Sequence, residues 1–191
     1  MKIVNIVATV ILAEPLDLDE VHKHLPGSKF PKAGSPWLQY RLQPENYYTT
    51  FYKSGKFLVT GVTSPDEIRP IANRIISILK KNAIKVKISE IRIHNFVVVD
   101  TIGHKVQFDK IIASLPDVNI EYEPEQFPGA ILKIKEPKVS LLLFKNGKII
   151  CSGASSEAQI QQGIRKANKM IHEVQKEVKV KRNVDFEIVN F

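Results

Sequence analysis

The chain has 191 residues, 43% hydrophobic and 25% charged, a globular balance that excludes wholesale disorder and leaves room for one large domain or two of about 90 residues each. Its single cysteine, Cys151, excludes an internal disulfide and suits a reducing compartment. No stretch approaches the roughly 18–20 apolar residues of a membrane-spanning helix, and a net charge of +8, from 28 Lys and Arg against 20 Asp and Glu, favours a polyanionic partner such as nucleic acid.

In chain order, "MKIVNIVATVIL" reads as a strand and not a signal, because Asn5 and Thr9 interrupt the apolar run and no small-residue cleavage site follows. A helix-like segment, "LDLDEVHKHL", a Pro-rich turn and strands come next. Of these, "TTFYKSGKFLVTG" is a hairpin turning at Ser54-Gly55. Ser64 then caps a helix, with Pro65 at its first position and Asp66 and Glu67 complementing its positive end. Ile68, Ile71, Ile75, Ile78 and Leu79 mark the buried face, and Pro70 removes a backbone donor and is expected to bend that turn. The order then recurs: a strand "IHNFVVVD", a helix-like "HKVQFDKIIASL", a hairpin "LLLFKNGKIICSG" turning at Asn146-Gly147, and a helix capped by Ser156 that buries Ile160, Ile164, Ala167, Ile171 and Val174.

The recurrence is an internal repeat. "SGKFLVTGVTSPDEI" from Ser54 returns as "NGKIICSGASSEAQI" from Asn146, 92 residues on, and "IVNIVATV" from Ile3 returns as "IHNFVVVD" from Ile93, 90 residues on. The expected division is a first repeat over 1–90, a second over 91–180 and a tail over 181–191. The tail belongs to "VKVKRNVDFEIVNF", which is similar to "IKVKISEIRIHNF" and sets Asn190 where Asn95 stands. It reads as a short extra strand, or as chance similarity between basic, β-rich segments.

The strand faces direct the functional reading. Val4, Ile6, Ala8 and Val10 point one way and Ile3, Asn5, Val7 and Thr9 the other. Leu142, Phe144, Ile150 and Ser152 share a face opposite Leu141, Leu143 and Cys151. Both faces are largely apolar, yet the helices are too few to form two layers. One face is therefore expected to lie uncovered, apolar with scattered Asn, Thr and Ser, and rimmed by basic residues. The minor groove of A·T-rich DNA suits such a surface, because its pairs present only acceptors there and an Asn amide satisfies them without telling A·T from T·A. No nucleophile and base pair, phosphate-cradling loop or carboxylate dyad is evident. His22 and His24 fall on different helix faces and no Cys or paired carboxylate completes a metal site. No enzymatic activity, metal or cofactor is expected.

"EYEPEQFPG" and "EPKVSLLLFKNGKIICSGASS", supported by "VNIVATV", "LDLDEV", "IHNFV" and "SGKFLVTG", resemble the TATA-box-binding protein family over nearly the whole chain, and the two-repeat length is similar to archaeal members. The resemblance implies an α+β fold: a pseudo-twofold saddle of one curved antiparallel sheet with helices on the convex face. It also implies paired phenylalanines that wedge between base steps at both ends of the site, a mode this family exemplifies. Phe127 and Phe144 match the second-repeat pair. Asn5 and Asn95 match central asparagines, with Val7 and Val97 beside them. Thr60 matches a groove-facing threonine and Ser152 takes the equivalent place, while Leu58, Leu142 and Ile150 fit apolar groove-facing positions. Arg41, Lys56, Lys133, Lys138 and Lys148 fall where basic residues reach phosphates.

The first repeat departs from the family pattern. An offset of 92 sets Ser35 against Phe127 and Tyr52 against Phe144, so the first wedge pair is missing in its family form. Tyr52 keeps an aromatic ring, and Trp37 and Phe30 are the candidates to stand in for the other. The resemblance further implies that transcription factor B grips the second-repeat turn through Glu123 and Glu125. The first-repeat turn carries Lys29 and Lys32 instead, so a partner can tell the ends apart by charge. The expected partners are double-stranded A·T-rich promoter DNA, transcription factor B and, indirectly, RNA polymerase, with no membrane. The setting would be an archaeal chromosome in the cytoplasm, or the nucleus in a eukaryote. The divergent first repeat leaves an alternative open: a paralogue acting mainly as a protein-interaction or regulatory module with weak DNA binding.

Overall fold

Alternation decides which side chains each strand buries, and in this chain it sorts nearly every strand cleanly. The structure, a computed structural model, describes residues 1–114 and 119–188, with side chains through residue 176. The elements are β1 (Lys2–Leu12), α1 (Leu18–His24), β2 (Trp37–Leu42), β3 (Tyr47–Tyr52), β4 (Lys56–Val62), α2 (Ile68–Lys81), β5 (Ile88–Thr101), α3 (Phe108–Ser114), β6 (Asn119–Glu121), β7 (Gly129–Ile134), β8 (Val139–Phe144), β9 (Lys148–Ala154) and α4 (Glu157–Ile188). The fold is α+β with antiparallel strands, as expected. Two compact units divide it: a first, Ile3–Phe96, and a second, Met1–Lys2 with Val97–Phe191. Strand order is β2-β3-β4-β1 followed by β5 in the first unit, and β5-β9-β8-β7-β6 in the second.

In the first unit Ile6, Ala8 and Val10 of β1, Leu38 of β2, Phe51 of β3 and Phe57 and Val59 of β4 are fully buried. Val21 of α1 and Ile71, Ile75 and Leu79 of α2 are buried as well. In the second, Leu132, Leu141, Leu143, Ile149 and Cys151 are buried from the strands, and Ile111, Ile160, Ala167 and Ile171 from α3 and α4. Each large apolar side chain so buried contributes about 1.5–3 kcal/mol. Burial also pushes the Cys151 thiol up to about 11, which keeps it protonated and inert at neutral pH.

The two hairpins are tied down in the same way. Leu12 N–H donates to Gly55 O (2.7 Å) and Leu16 N–H to Lys53 O (3.1 Å); in the second unit Ile102 N–H donates to Gly147 O (2.9 Å) and Val106 N–H to Lys145 O (3.0 Å). Gly55 (φ +74) and Gly147 (φ +86) let the turns pass against the preceding loop so closely that a Cβ would meet Glu14 O at 2.1 Å or His104 O at 2.3 Å.

Three expectations need correction. Pro70 does not interrupt α2: a 3-10 turn over Pro65–Glu67 precedes the helix, so Pro70 lies in the first α-helical turn, where its missing N–H has no partner to lose. Ser64 and Glu67 close a capping box over that turn. On α2, Ile76 is buried and Ile78 only half-buried, a small rotation of the stripe. Finally, α4 runs to Ile188, so residues 181–188 are helix and not the short extra strand that was one of the two readings of the tail. The Val-Lys alternation at Val178 to Lys181 has period two, but continuing an existing helix satisfies each added backbone group locally without a nucleation step. Asn190 lies outside the described residues.

Candidate nucleic-acid interface

The face opposite the first unit's core is built by cross-strand pairs. Trp37 pairs with Tyr52, Gln39 with Thr50 and Arg41 with Tyr48 across β2 and β3. Tyr48 pairs with Thr60, Thr50 with Leu58 and Tyr52 with Lys56 across β3 and β4, and Thr9 with Leu58 and Ile11 with Lys56 across β4 and β1. Val7, Tyr52, Leu58 and Thr60 are half-exposed there, and Arg41 and Lys56 exposed. Both cations are held over rings: the Arg41 guanidinium lies 5.2 Å from the Tyr48 centroid and the Lys56 ammonium 5.4 Å from that of Tyr52.

Asn5 is fixed by a break in the ladder. The register shifts between Ile6↔Val62 and Ala8↔Val59, and Gly61, at φ +91, turns its N–H off the ladder. That N–H donates to Asn5 Oδ1 at 2.7 Å. The carbonyl end of the amide is thereby engaged, which leaves its NH2 end, a double donor, for another partner.

The second unit repeats the construction. Gly129 pairs with Phe144, Ile131 with Leu142 and Lys133 with Ser140, while Leu142 pairs with Ile150 and Ser140 with Ser152. Leu142, Phe144, Ile150 and Ser152 are half-exposed, directly opposite buried Leu141, Leu143 and Cys151. Of the β5 residues, Asn95 and Val97 are half-exposed too. Phe127 is 45% exposed, an unusual state for a phenylalanine. The turn before it is closed by Gln126 N–H and Phe127 N–H donating to Glu123 O at 3.0 and 2.9 Å, and its ring stands edge-on to Phe144 with centroids 6.0 Å apart. Gly129 makes room for it, since a Cβ there would lie 2.8 Å from Phe127 Cε1.

Charges around this face are mixed. Lys138 and Lys148 are exposed, whereas Lys133 is ion-paired with Glu121. Glu123 and Glu125 are exposed on the turn, and Glu121, Glu123 and Gln126 join Phe127, Ile131 and Leu142 in lining a cleft of about 450 Å³. Among the described residues no three His, Cys, Asp or Glu side chains gather to hold a metal ion, and no helix is long and apolar enough to cross a membrane.

Sequence reasoning passed over Gln39, Thr50 and Ile131, which share these faces. The 92-residue offset applied strand by strand would have found them, since it sets Thr50 against Leu142 and Gln39 against Ile131. The same offset sets Trp37 against Gly129. Ser35 is 3% exposed, with its hydroxyl unpartnered, and Phe30 packs edge-on against His22 of α1 at 5.3 Å.

Two α+β units that repeat one element order, each with a buried face and an open, cation-rimmed strand face, define a duplicated strand-face binding protein. The chain belongs to the family described as transcription factor TFIID or TATA-binding protein, whose model matches residues 1–82 and 90–174. It is 40% identical over 175 residues to the TATA-box-binding protein of Picrophilus torridus, covering 91% of this chain and 95% of that one. It is 40% identical over 167 residues to that of Thermococcus celer, covering 87% of each. Its fold matches the structure of Methanococcus jannaschii TBP with a TM-score of 0.82 at 31% identity, over 90% of this chain and 98% of that one.

Proposed function

We propose that this chain is a general transcription initiation factor whose open strand faces bind the minor groove of A·T-rich, TATA-type promoter DNA, bend it, and recruit transcription factor B and through it RNA polymerase. The observation that carries the reading is the Asn5 amide, whose Oδ1 is engaged by the Gly61 N–H and whose NH2 remains as a double donor on the strand face of Val7, Leu58 and Thr60. A·T pairs present only acceptors in the minor groove, whereas G·C adds a guanine amino donor that would confront the Asn5 donors. Such an amide favours A·T and T·A alike.

The remaining parts fit the same ligand. Phe127, exposed against Phe144, is an apolar wedge of the kind this family exemplifies. Arg41, Lys56, Lys133, Lys138 and Lys148 supply phosphate partners, and Glu123 and Glu125 offer exposed carboxylates to basic groups on transcription factor B. The archaeal relatives named TATA-box-binding protein support the reading. A gel-shift and bend assay comparing a TATA duplex with a G·C-rich duplex of equal length is expected to show preferential binding and bending of the first, with a supershift on adding transcription factor B. Equal affinities with no bend would sink it.

A further inference from the structure

We infer that Trp37 and Tyr52 form the aromatic wedge of the first unit, so that the ring the second unit carries on its turn is carried here on a strand. The inference rests on the DNA reading above and assigns a residue to the place where the first repeat lacks the family's phenylalanine.

The registers make the comparison direct. Trp37 opens β2 and pairs with Tyr52, as Gly129 opens β7 and pairs with Phe144. In the second unit a side chain at position 129 would start inside the space that the Phe127 ring fills, 2.8 Å from Cε1. In the first unit the equivalent strand position bears the chain's largest side chain. Two residues upstream, where Phe127 projects from the second unit's turn, the first has Ser35, small and 3% exposed. A large residue over a small one, Phe127 and Gly129, has been exchanged for a small residue and a large one, Ser35 and Trp37.

The other candidate is otherwise engaged, because Phe30 rests against His22. The partner ring is in place, with Lys56 held over Tyr52 beside the pair, where it can meet a phosphate. Trp37 is half-buried where Phe127 is 45% exposed, so the first unit's wedge is the shallower of the two. The indole adds an N–H donor that a phenylalanine lacks, suited to the acceptor-lined minor groove.

Trp37 is the only tryptophan, so its fluorescence reports this site in the unaltered protein. Binding of an unlabelled TATA duplex is expected to quench the emission through base stacking. In parallel, anisotropy of a labelled duplex is expected to show Trp37→Ala binding roughly 5- to 100-fold more weakly, with Trp37→Phe keeping most of the affinity. If anisotropy reports binding while wild-type emission stays unchanged, the inference is overturned and the DNA reading stands, whatever the variants do. A quench with no weakening in a folded Trp37→Ala likewise overturns it. If the wild type binds no TATA duplex at all, the DNA reading falls and the inference with it.

Discussion

At Gly129 a Cβ would stand 2.8 Å from the Phe127 ring and 3.0 Å from the Leu143 carbonyl oxygen, so the ring's place over Phe144 depends on a bare backbone beneath it. Phe127 itself contributes little to the core, being 45% exposed. Phe127→Ala is therefore expected to leave the melting temperature almost unchanged while weakening binding to a TATA duplex by the value of one base–aromatic stack, about 1–3 kcal/mol, and reducing the bend. Ser35 occupies the equivalent place in the first unit and makes a useful control. Its buried hydroxyl has no partner, so Ser35→Ala loses no hydrogen bond and removes a desolvated polar group. Its affinity is expected to stay within about twofold of wild type, with stability equal or slightly raised. Thermal melts and gel shifts on the two variants decide the matter, and equal losses of bending would refute unequal wedges.

The hairpin turns are the elements on which both units hang. Each passes against the loop that follows the unit's first strand, and Gly147 is pressed to 2.3 Å between its would-be Cβ and His104 O at φ +86. Gly147→Ala thus meets both a backbone clash and a left-handed penalty, and is expected to cost roughly 2–4 kcal/mol. Gly103, at φ +78 with open space around it, has only the penalty, about 1–2 kcal/mol. Urea denaturation of Gly103→Ala and Gly147→Ala compares them, and equal midpoints would show that the close approach is not what holds the turn. These turns were legible in the sequence because Ser-Gly and Asn-Gly announce a left-handed turn between apolar runs, and the helices were legible from their capping serines and isoleucine stripes. The first unit's open face was not. "WLQYRL" alternates only from Leu38 on and "YYTTFY" not at all, and Thr49 and Thr50 are the same residue type on opposite faces, so only the register with β4 assigns Thr50 to the side of Leu58. The Lys133–Glu121 ion pair was hidden for the same reason: it needs β6 laid against β7, which sets Glu121 diagonal to Lys133.

At the scale of the whole molecule the net charge of +8 matters through where its cations stand. Arg41 and Lys56 are braced over Tyr48 and Tyr52, Lys138 and Lys148 are exposed, and Lys133 is partly neutralised by Glu121. Each phosphate contact releases counterions and adds about −0.9 to the slope of log K against log salt. Four to five such contacts give an expected slope of roughly −3.6 to −4.5. Lys148→Ala is expected to flatten it by about 0.9 while leaving the preference for A·T over G·C sequences intact, since a phosphate contact carries no sequence information. Lys133→Ala differs, because it also strands the Glu121 carboxylate beside the polyanion. Affinity should fall further than for Lys148→Ala, and Glu121→Gln should restore part of the loss. Salt titrations of the three variants on TATA and G·C-rich duplexes test this. If Lys133→Ala and Lys148→Ala lost affinity equally and Glu121→Gln restored none of it, the ion pair would have no part in tuning the face for DNA.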